Sequence, residues 1–330
     1  MKILFIGHYW KDFQTTFREK LAACHEVLFF GRTRDPGLAE QLPTAHVIVS
    51  SSLPADLGSA TRALRLVHSA GAGVDKIDMS AVAEGVPLCC TFHHGPSIAE
   101  YVVMAMLALH RELFRMDREL RAGRWLNPGT DPRVPFHSTL EGETVLLLGT
   151  GEIGSHVALR CRAFGMRVIG INSSGQAPER GGFDQVAPWA SLDELLPRAR
   201  FVVLALPLTE ETRGAIDARR LGLMNASSYL INVARGPLIE EAALFEALEN
   251  RRIAGAAIDV WYRYPKDPDE PAPPSAMPFQ DLDNVIMTPH AAGNTTATFG
   301  QRAGDIIDNI ERLDRGEPLR NVVGAGNRRS

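Results

Sequence analysis

Short apolar runs alternate with helical stretches along roughly the first 95 residues of the chain. Runs of this length, bounded by turn-forming residues, are typical of buried strands. Strands are therefore predicted at residues 2–6, 25–30, 46–50, 64–68 and 86–91. Because strands that alternate with helices form parallel sheets with crossover connections, this block is predicted to be an α/β domain.

A second block with the same rhythm begins at Thr144. Strands are predicted at residues 144–148, 167–171, 201–205, 229–233, 256–260 and 285–288, and helices at 153–164, 191–196 and 240–249. Between the two blocks, Ser97 and Glu100 have the spacing of a capping box. A long helix is therefore predicted from Ser97 to about Arg121.

A last helix is predicted over residues 295–315, because Gly316 and Pro318 follow it as stop signals. We expect this helix to return to the first block. The first domain is then discontinuous, with residues 1–97 joined by 295–330, and a second domain of residues 98–294 is inserted into it.

The strand at 144–148 continues directly into Gly149-Thr150-Gly151-Glu152-Ile153-Gly154. A strand, this glycine spacing, a helix and a second strand form the fingerprint of a dinucleotide-binding unit. The glycines permit a tight turn and close backbone approach to a pyrophosphate, and the helix N-terminus favours its charge. The sequence predicts a Rossmann domain in which Gly149, Gly151, Glu152, Ile153 and Gly154 bind the cofactor.

The end of the second strand of this unit departs from the usual pattern. An Asp or Glu at this point normally binds the ribose 2′-hydroxyl of NAD, whereas this chain has Asn172 and Ser173. The 2′-phosphate of NADP would therefore not be repelled by a carboxylate at this position. We predict that Asn172 and Ser173 contact the cofactor, which is NAD(H) or NADP(H).

The composition and charge of the chain argue against several classes of function. The 330 residues are 45% hydrophobic and 22% charged, with a formal net charge of −4. No segment gathers Lys and Arg into a cluster, so no nucleic-acid partner is expected. The apolar stretches are too short for a signal peptide or a membrane span, which predicts a cytoplasmic protein without a membrane partner. The four cysteines lack C-x-x-C spacing, and no metal site is predicted.

Three polar residues follow strands of the second block: Arg235, Asp259 and His290. Ligands of open α/β sheets bind beyond the carboxyl ends of the strands, so these side chains are expected at one crevice. An Arg can bind a carboxylate with two parallel hydrogen bonds. A His can give or take a proton near neutral pH. The combination indicates hydride transfer to or from an organic acid.

Together with these motifs, residues 66–78, Ile98-Ala99-Glu100-Tyr101 and Leu206-Pro207-Leu208-Thr209 resemble the D-isomer-specific 2-hydroxyacid dehydrogenases over nearly the whole chain. The resemblance implies a Rossmann domain inserted into a flavodoxin-like, parallel-sheet substrate domain. It also implies reversible NAD(P)-dependent conversion of a small 2-oxo acid into its D-2-hydroxy acid.

The resemblance assigns roles to residues at matching positions. Arg235 would orient the substrate, and His290 would be the general acid and base. Backbone N–H groups of the substrate loop would hold the carboxylate; this loop comprises Ala70, Gly71, Ala72 and Gly73. The remaining residues expected along the cofactor are Leu206, Pro207, Thr212, Val233, Ala234, Asp259, Ala292 and Gly293.

One position departs from the family pattern. Most members have a Glu five residues after the matching Asp, where it stabilises the protonated catalytic His; here the residue is Tyr264. A neutral phenol stabilises imidazolium less than a carboxylate does, so a lower pKa is predicted for His290 than in relatives that have Glu. Tyr264 is nevertheless predicted to hold the ring by hydrogen bonding. Asp267, Asp269 and Glu270 are alternative sources of charge, although solvated loop positions are the simpler interpretation.

Two other functions are compatible with these motifs. The missing Glu is shared with formate dehydrogenases, which raises oxidation of a small oxyanion as an alternative. A dinucleotide-sensing binding protein of the same fold is the other. The family resemblance also predicts a homodimer, with the 123–139 arm and the helix before it as candidate contacts.

Overall fold

The computed structural model describes residues 1–265 and 271–328, and its contacts divide the chain into two compact units. Unit 1 comprises Met1–His93 with the segment that starts at Thr295, and unit 2 comprises His94–Asn294. Asp267, Asp269 and Glu270, which were considered as sources of charge, lie outside the described residues.

The strands, in chain order, are β1 Lys2–Ile6, β2 Glu26–Phe30, β3 Val47–Ser50, β4 Leu66–His68, β5 Pro87–Cys89, β6 Thr144–Leu148, β7 Arg167–Asn172, β8 Gln185–Pro188, β9 Phe201–Leu204, β10 Tyr229–Asn232, β11 Gly255–Ile258, β12 Val285–Met287 and β13 Val322–Ala325. The α-helices are α1 Gln14–Leu21, α2 Leu38–Gln41, α3 Ala55–Ala60, α4 Gly95–His110, α5 Leu113–Arg121, α6 Glu152–Ala163, α7 Leu192–Leu195, α8 Ala218–Leu223, α9 Glu241–Glu249 and α10 Thr296–Arg315.

Unit 1 is built on a sheet with the order β2-β1-β3-β4-β5-β13. The pairs from β2 to β5 are parallel, which is the flavodoxin-like order, and β13 adds an antiparallel edge strand. Side chains alternate between the faces: Ile3 and Phe5 pack towards α1 and α10, whereas Leu4 and Ile6 pack into a second core on the other face. The predicted substrate-domain fold is confirmed.

Unit 2 contains an all-parallel sheet with the order β8-β7-β6-β9-β10-β11-β12. The first six strands follow the Rossmann order, in which the glycine turn after β6 lies at the reversal of strand order. Both faces are covered by apolar cores, and α4 and α6 pack on the same face. The predicted Rossmann fold is therefore confirmed as well.

The long helix predicted from Ser97 to Arg121 was wrong in two respects. Helix α4 begins at Gly95, with Pro96 in its first turn and no side-chain cap, so Ser97 is not the N-cap. Proline fits the first turn because its missing N–H is not needed there. The helical run is then interrupted at Glu112, which has a left-handed φ of 47°, and resumes as the separate helix α5.

A buried histidine in β4 makes the stability of unit 1 dependent on pH. His68 is fully buried, its Nδ1 donates to the Ser69 carbonyl at 2.8 Å, and its Nε2 accepts from Asn309 Nδ2 at 3.1 Å. Burial lowers the pKa of His68 to about 4, and the nearby charge of Asp305 opposes that shift only in part. Between pH 6.5 and about 4, the His68 imidazole is therefore neutral in the folded protein, whereas it is protonated in the unfolded chain.

We expect the free energy of unfolding to fall by about 2 kcal/mol between pH 7.5 and pH 5 on account of His68. The folded-state pKa lies below the ordinary 6.5, so this stability is complete above pH 6.5 and is lost as the pH falls through about 4. Urea unfolding at both pH values measures it. His68→Asn should flatten the dependence, and His8→Asn, at an exposed position of the same unit, should leave it unchanged. An equal dependence in His68→Asn would contradict this assignment.

Candidate active site

The turn between β6 and α6 requires two of its glycines for packing. Gly149 has a left-handed φ of 106°, and a Cβ atom there would collide with the carbonyl of Ala205. A Cβ atom on Gly154 would collide with the carbonyl of Gly149. Both positions admit only glycine, because the backbone after β9 lies against Gly149 and because the first turn of α6 lies against the end of β6 at Gly154.

The middle glycine faces open space, as a cofactor site requires. A Cβ built on Gly151 meets no other atom within 4 Å, and α6 begins at the next residue, Glu152. The first N–H groups of a helix have no intrahelical partner and carry its positive dipole end. The turn therefore fits the pyrophosphate of a dinucleotide, which Gly151, Glu152 and Ile153 would hold through backbone N–H groups.

The loop after β9 runs beside this turn. The N atom of Leu206 lies 3.0 Å from a Cβ position built on Gly149. The loop is closed on itself by Thr212, whose Oγ1 donates to the Pro207 carbonyl at 2.8 Å and accepts from the Thr209 N–H at 2.7 Å. Leu206 thus lies beside the glycine turn, and Pro207 and Thr212 belong to the loop that continues from it.

The side chain of Asn172, at the end of β7, forms hydrogen bonds within its own loop. Its Nδ2 donates to Thr150 Oγ1 and to the Gln176 carbonyl, both at 2.8 Å. Its Oδ1 accepts from the Gly175 N–H at 2.6 Å and from Ser174 Oγ at 3.2 Å. Asn172 therefore shapes the end of β7, and Ser173 and Ser174 beside it are exposed to solvent.

Asp259 lies directly after β11 and is 1% exposed. Its Oδ1 accepts from Thr288 Oγ1 at 2.6 Å and from the Ala291 N–H at 2.8 Å, and its Oδ2 accepts from the Ala292 N–H at 3.0 Å. Thr288 also bonds to the Tyr101 hydroxyl at 2.7 Å. One buried carboxylate thus anchors the loop on both sides of His290.

His290 occupies a strained turn in that loop. Its φ of 59° is left-handed, a conformation that costs a non-glycine residue roughly 1–3 kcal/mol and persists only where the surroundings enforce it. Its Nδ1 lies 3.0 Å from the Tyr264 hydroxyl, which in turn accepts from the Trp261 N–H at 3.1 Å. The predicted contact between Tyr264 and the histidine ring is present, and the other ring nitrogen, Nε2, lies on the opposite side of the ring from this bond.

Arg235 is placed by the end of β10. Asn232 donates through Nδ2 to the Arg235 carbonyl at 2.9 Å and accepts from the Ala234 N–H at 3.1 Å, which fixes the turn. The Arg235 Nη1 donates to the Ala234 carbonyl at 2.7 Å. The turn continues at Gly236, where an added Cβ atom would lie 2.5 Å from the Trp261 carbonyl.

Trp261 contacts the surroundings of both predicted catalytic residues of unit 2, Arg235 and His290. Its backbone contacts the Arg235–Gly236 turn and bonds to Tyr264, and its indole Nε1 donates to the Thr288 carbonyl at 2.9 Å. Sequence reasoning missed Trp261, Thr288 and Asn232 as supporting residues. Their positions at strand ends, next to Asp259, His290 and Arg235, were the available signal.

The other predicted cofactor residues of unit 2 lie around this centre. Val233, Ala234 and Ala292 are buried, and Val233 and Ala292 belong to the core that also contains Ile98. Gly293 lies against His94 and Ile98 at ordinary van der Waals distances. The backbone rather than the side chains of these small residues would face a cofactor.

The substrate loop of unit 1 follows β4. Ser69 Oγ donates to the Gly73 carbonyl at 2.9 Å and accepts from the Gly71 N–H at 3.3 Å, while Ala70 is buried. Among the residues that the structure describes, the N–H groups of Ala72 and Gly73 donate to no protein acceptor. This leaves two backbone donors for a carboxylate, in line with the expected role of the loop.

Two further observations concern metal binding and membrane insertion. Within residues 1–265 and 271–328, no group of three or more His, Cys, Asp or Glu side chains is arranged to hold a metal ion. No helix in this described part of the chain is long and apolar enough to cross a membrane.

Known proteins are similar to this chain in sequence. The family model described as D-isomer specific 2-hydroxyacid dehydrogenase, NAD binding domain, matches residues 103–292. D-3-phosphoglycerate dehydrogenase of Methanocaldococcus jannaschii is 35% identical over 299 residues, which are 88% of this chain and 54% of the relative. The chain thus spans about half the length of that relative. Glyoxylate reductase of Thermococcus kodakarensis is 34% identical over 265 residues, which cover 78% of this chain and 74% of the relative.

A solved structure extends the likeness to the whole chain. NAD-dependent formate dehydrogenase from Staphylococcus aureus, in complex with NAD, superposes with a TM-score of 0.80 at 26% identity and covers 99% of this chain and 100% of its own. The matched family model confirms the prediction of a nicotinamide dinucleotide-binding domain. The chain belongs to the D-isomer specific 2-hydroxyacid dehydrogenase family.

Proposed function

We propose that this protein reduces a small 2-oxo acid to its D-2-hydroxy acid, and catalyses the reverse oxidation, with NAD(H) or NADP(H). The observation that carries the proposal is the Asp259 carboxylate, which holds His290 in a left-handed conformation with Nδ1 bonded to Tyr264. A histidine held in this way has one ring nitrogen oriented by the protein, and its imidazole can give or take a proton near neutral pH.

The residues of the chain divide the chemistry between them. The nicotinamide of the cofactor, when bound, supplies or accepts the hydride. Arg235 binds the substrate carboxylate and carbonyl through its planar guanidinium, and the N–H groups of Ala72 and Gly73 bind the carboxylate. In the reductive direction, His290 donates its Nε2 proton to the carbonyl oxygen as the hydroxyl forms. In the oxidative direction, neutral His290 removes that proton.

Tyr264 acts here as a positioning residue. Its hydroxyl oxygen accepts from the Trp261 N–H, and a phenol hydroxyl can both donate and accept. It can therefore accept from a protonated Nδ1 or donate to a bare one, so the ring keeps its orientation in both protonation states. A Glu at this position would accept only, and its charge would favour imidazolium.

We predict that Tyr264→Glu moves the alkaline limb of the pH profile for reduction upward by about 1–2 pH units, because a carboxylate beside imidazolium keeps it protonated. Tyr264→Phe should lower kcat about tenfold, in keeping with the loss of one hydrogen bond. Steady-state kinetics from pH 5.5 to 9.5 measure both effects. Tyr262→Phe is the matched control, because its hydroxyl bonds to the Ile239 carbonyl instead. An unchanged profile in Tyr264→Glu would contradict the positioning role.

Turnover with a substrate panel tests the proposed activity. Wild-type protein is assayed with NADH and NADPH against 2-oxo acids of two to six carbons, and with NAD and NADP against formate. Reduction of at least one 2-oxo acid supports the proposal. Oxidation of formate alone would replace it by the formate-dehydrogenase alternative, and tight cofactor binding without turnover of any acid would replace it by a dinucleotide sensor.

We also propose that the protein forms a homodimer through the 123–139 arm and helix α5. Trp125 is 65% exposed and Phe136 is 90% exposed, and α5 contributes the exposed Leu113, Phe114 and Leu120. Five large exposed apolar side chains within one stretch of 24 residues, 113–136, are typical of an association surface. Light scattering of the wild type should give twice the chain mass, and Trp125→Ser with Phe136→Ser should give the monomer. A monomeric wild type would contradict the proposal.

A further inference from the structure

Glu241, the first residue of helix α9, has no part in the chemistry described above and binds a segment 34 residues later in the chain. Its Oε1 accepts from Ser275 Oγ and from the Ala276 N–H, both at 2.6 Å. Ser275 is 5% exposed, and its hydroxyl oxygen also accepts from the Met277 N–H at 2.9 Å. One carboxylate oxygen and one buried hydroxyl therefore fix residues 275–277 against the start of α9.

The same segment is also packed into the core of unit 2. Phe279 is fully buried, and its ring lies edge-on to Trp261, with 5.9 Å between centroids, and to Phe245, with 5.5 Å. Phe245 lies on α9, one turn after Glu241. Helix α9 thus holds residues 275–279 at two points, through a carboxylate and through an aromatic ring.

The backbone that carries Tyr264 is attached to this held segment. The Arg263 N–H donates to the carbonyl of Pro274, the residue just before the part bonded by Glu241, at 2.9 Å. Tyr264 follows directly, and its hydroxyl lies 3.0 Å from His290 Nδ1. A continuous series of short contacts therefore leads from the Glu241 carboxylate to the histidine ring, entirely within unit 2.

The position of the Tyr264 ring depends on this backbone. Tyr264 is 38% exposed, so packing alone does not immobilise its side chain. A hydrogen bond of 3.0 Å is lost when its two atoms move apart by roughly 0.6 Å. A small displacement of the backbone at residue 264 is therefore enough to break the contact with His290.

We infer that Glu241 is a positioning residue for the proposed reaction, because it fixes the backbone that presents the Tyr264 hydroxyl to His290. The inference rests on the proposed function and adds to it a residue that acts through Tyr264. This role requires the acceptor oxygen of Glu241 and not its charge. Glu241→Gln retains that oxygen and should preserve the role, whereas Glu241→Ala should abolish it.

Titration of His290 by NMR tests the inference without any substrate, with the ring signals assigned by comparison with His290→Asn. Tyr264→Glu should raise the pH at which His290 titrates by about 1–2 pH units, because a carboxylate in contact with the ring favours imidazolium. Adding Glu241→Ala to Tyr264→Glu should remove at least about half of that rise, since the carboxylate is then no longer held against the ring. Adding Glu241→Gln should leave the rise unchanged.

Steady-state kinetics measure the same coupling in the reaction. Glu241→Ala should lower kcat about three- to tenfold in the wild type but less than about twofold in Tyr264→Phe, where the hydrogen bond that it positions is already absent. Glu241→Gln should retain most of the wild-type kcat. The affinity for NAD(P)H should be the same in all of these variants.

Two further variants control for position and folding. Glu246→Ala changes an exposed carboxylate of the same helix and should behave as the wild type. Ser275→Ala removes one of the two donors to Glu241 and leaves the carboxylate in place. It should reproduce the pattern of Glu241→Ala at a smaller size, about two- to threefold in kcat, so the test does not depend on the folding of one variant.

Three results would overturn the inference. The first is an equal loss of kcat for Glu241→Ala in the wild type and in Tyr264→Phe, which would indicate a general effect on stability. The second is a rise in the titration of His290 that Glu241→Ala leaves intact. The third is a loss in Glu241→Gln as large as in Glu241→Ala, which would assign the effect to charge. Failure of the wild type to reduce any 2-oxo acid would instead refute the proposed function, and the NMR titration would still decide whether Glu241 positions Tyr264.

Discussion

Replacing Asp259 by Ala is expected to destabilise unit 2 by about 3–5 kcal/mol, because a buried charged acceptor is removed from three donors at once. The Thr288 hydroxyl and the Ala291 and Ala292 N–H groups would then lose their common acceptor. His290 would lose the contacts that enforce its left-handed backbone. We therefore expect kcat/KM to fall at least about 100-fold even at temperatures where the variant remains folded.

Urea unfolding and steady-state kinetics on the same preparations measure the two effects of the Asp259 change. Asp283→Ala is the matched control, since this carboxylate also lies in unit 2 but pairs with Arg251 on the surface, where such pairs contribute little. A stable Asp259→Ala variant with wild-type kinetics would show that the carboxylate does not organise the histidine loop.

Replacing His290 by Asn is expected to lower kcat about 100- to 10,000-fold, the usual range for loss of a general acid or base. Asn tolerates left-handed φ values, so the loop should keep its conformation. The affinity for NAD(P)H, measured by fluorescence titration, should change less than about threefold because the pyrophosphate site at Gly151 is untouched.

The readouts for His290 separate chemistry from folding. His137→Asn, in the 123–139 arm, serves as the control and should retain full activity. A His290→Asn variant that keeps both its cofactor affinity and its kcat would exclude the histidine as the proton donor. Loss of cofactor binding along with activity would instead assign His290 a structural role in the nicotinamide site.

Much of the fold could be predicted from the pattern of apolar residues. Strands such as β1 and β6 consist of four or more consecutive buried positions, which is the strongest signal of a parallel sheet. Strands β8 and β13 were missed for the opposite reason. β8 has a single buried residue and ends in Pro188, and β13 is exposed throughout, so pairing at a sheet edge and not burial defines both.

The sequence was sufficient to nominate candidate site residues, because they lie at the ends of predicted strands and in the glycine turn. The contact of Tyr264 with His290 was implied by the family resemblance, and the structure contains it. The use of Asn172 within its own loop did not follow, because four local hydrogen bonds depend on a turn whose geometry the sequence leaves open. The anchoring of the loop by Asp259 was hidden for a similar reason, since its partners lie about 30 residues further along the chain.

The configuration of the product tests the central claim most directly. The best 2-oxo acid of the panel is reduced to completion with NADPH or NADH, and the 2-hydroxy acid is resolved by chiral chromatography. The account predicts the D isomer alone. One orientation of the acid at Arg235 would present one carbonyl face to the hydride and give a single isomer, and the D-isomer specific family to which the chain belongs predicts which one. Formation of the L isomer, or of a racemic mixture, would contradict it.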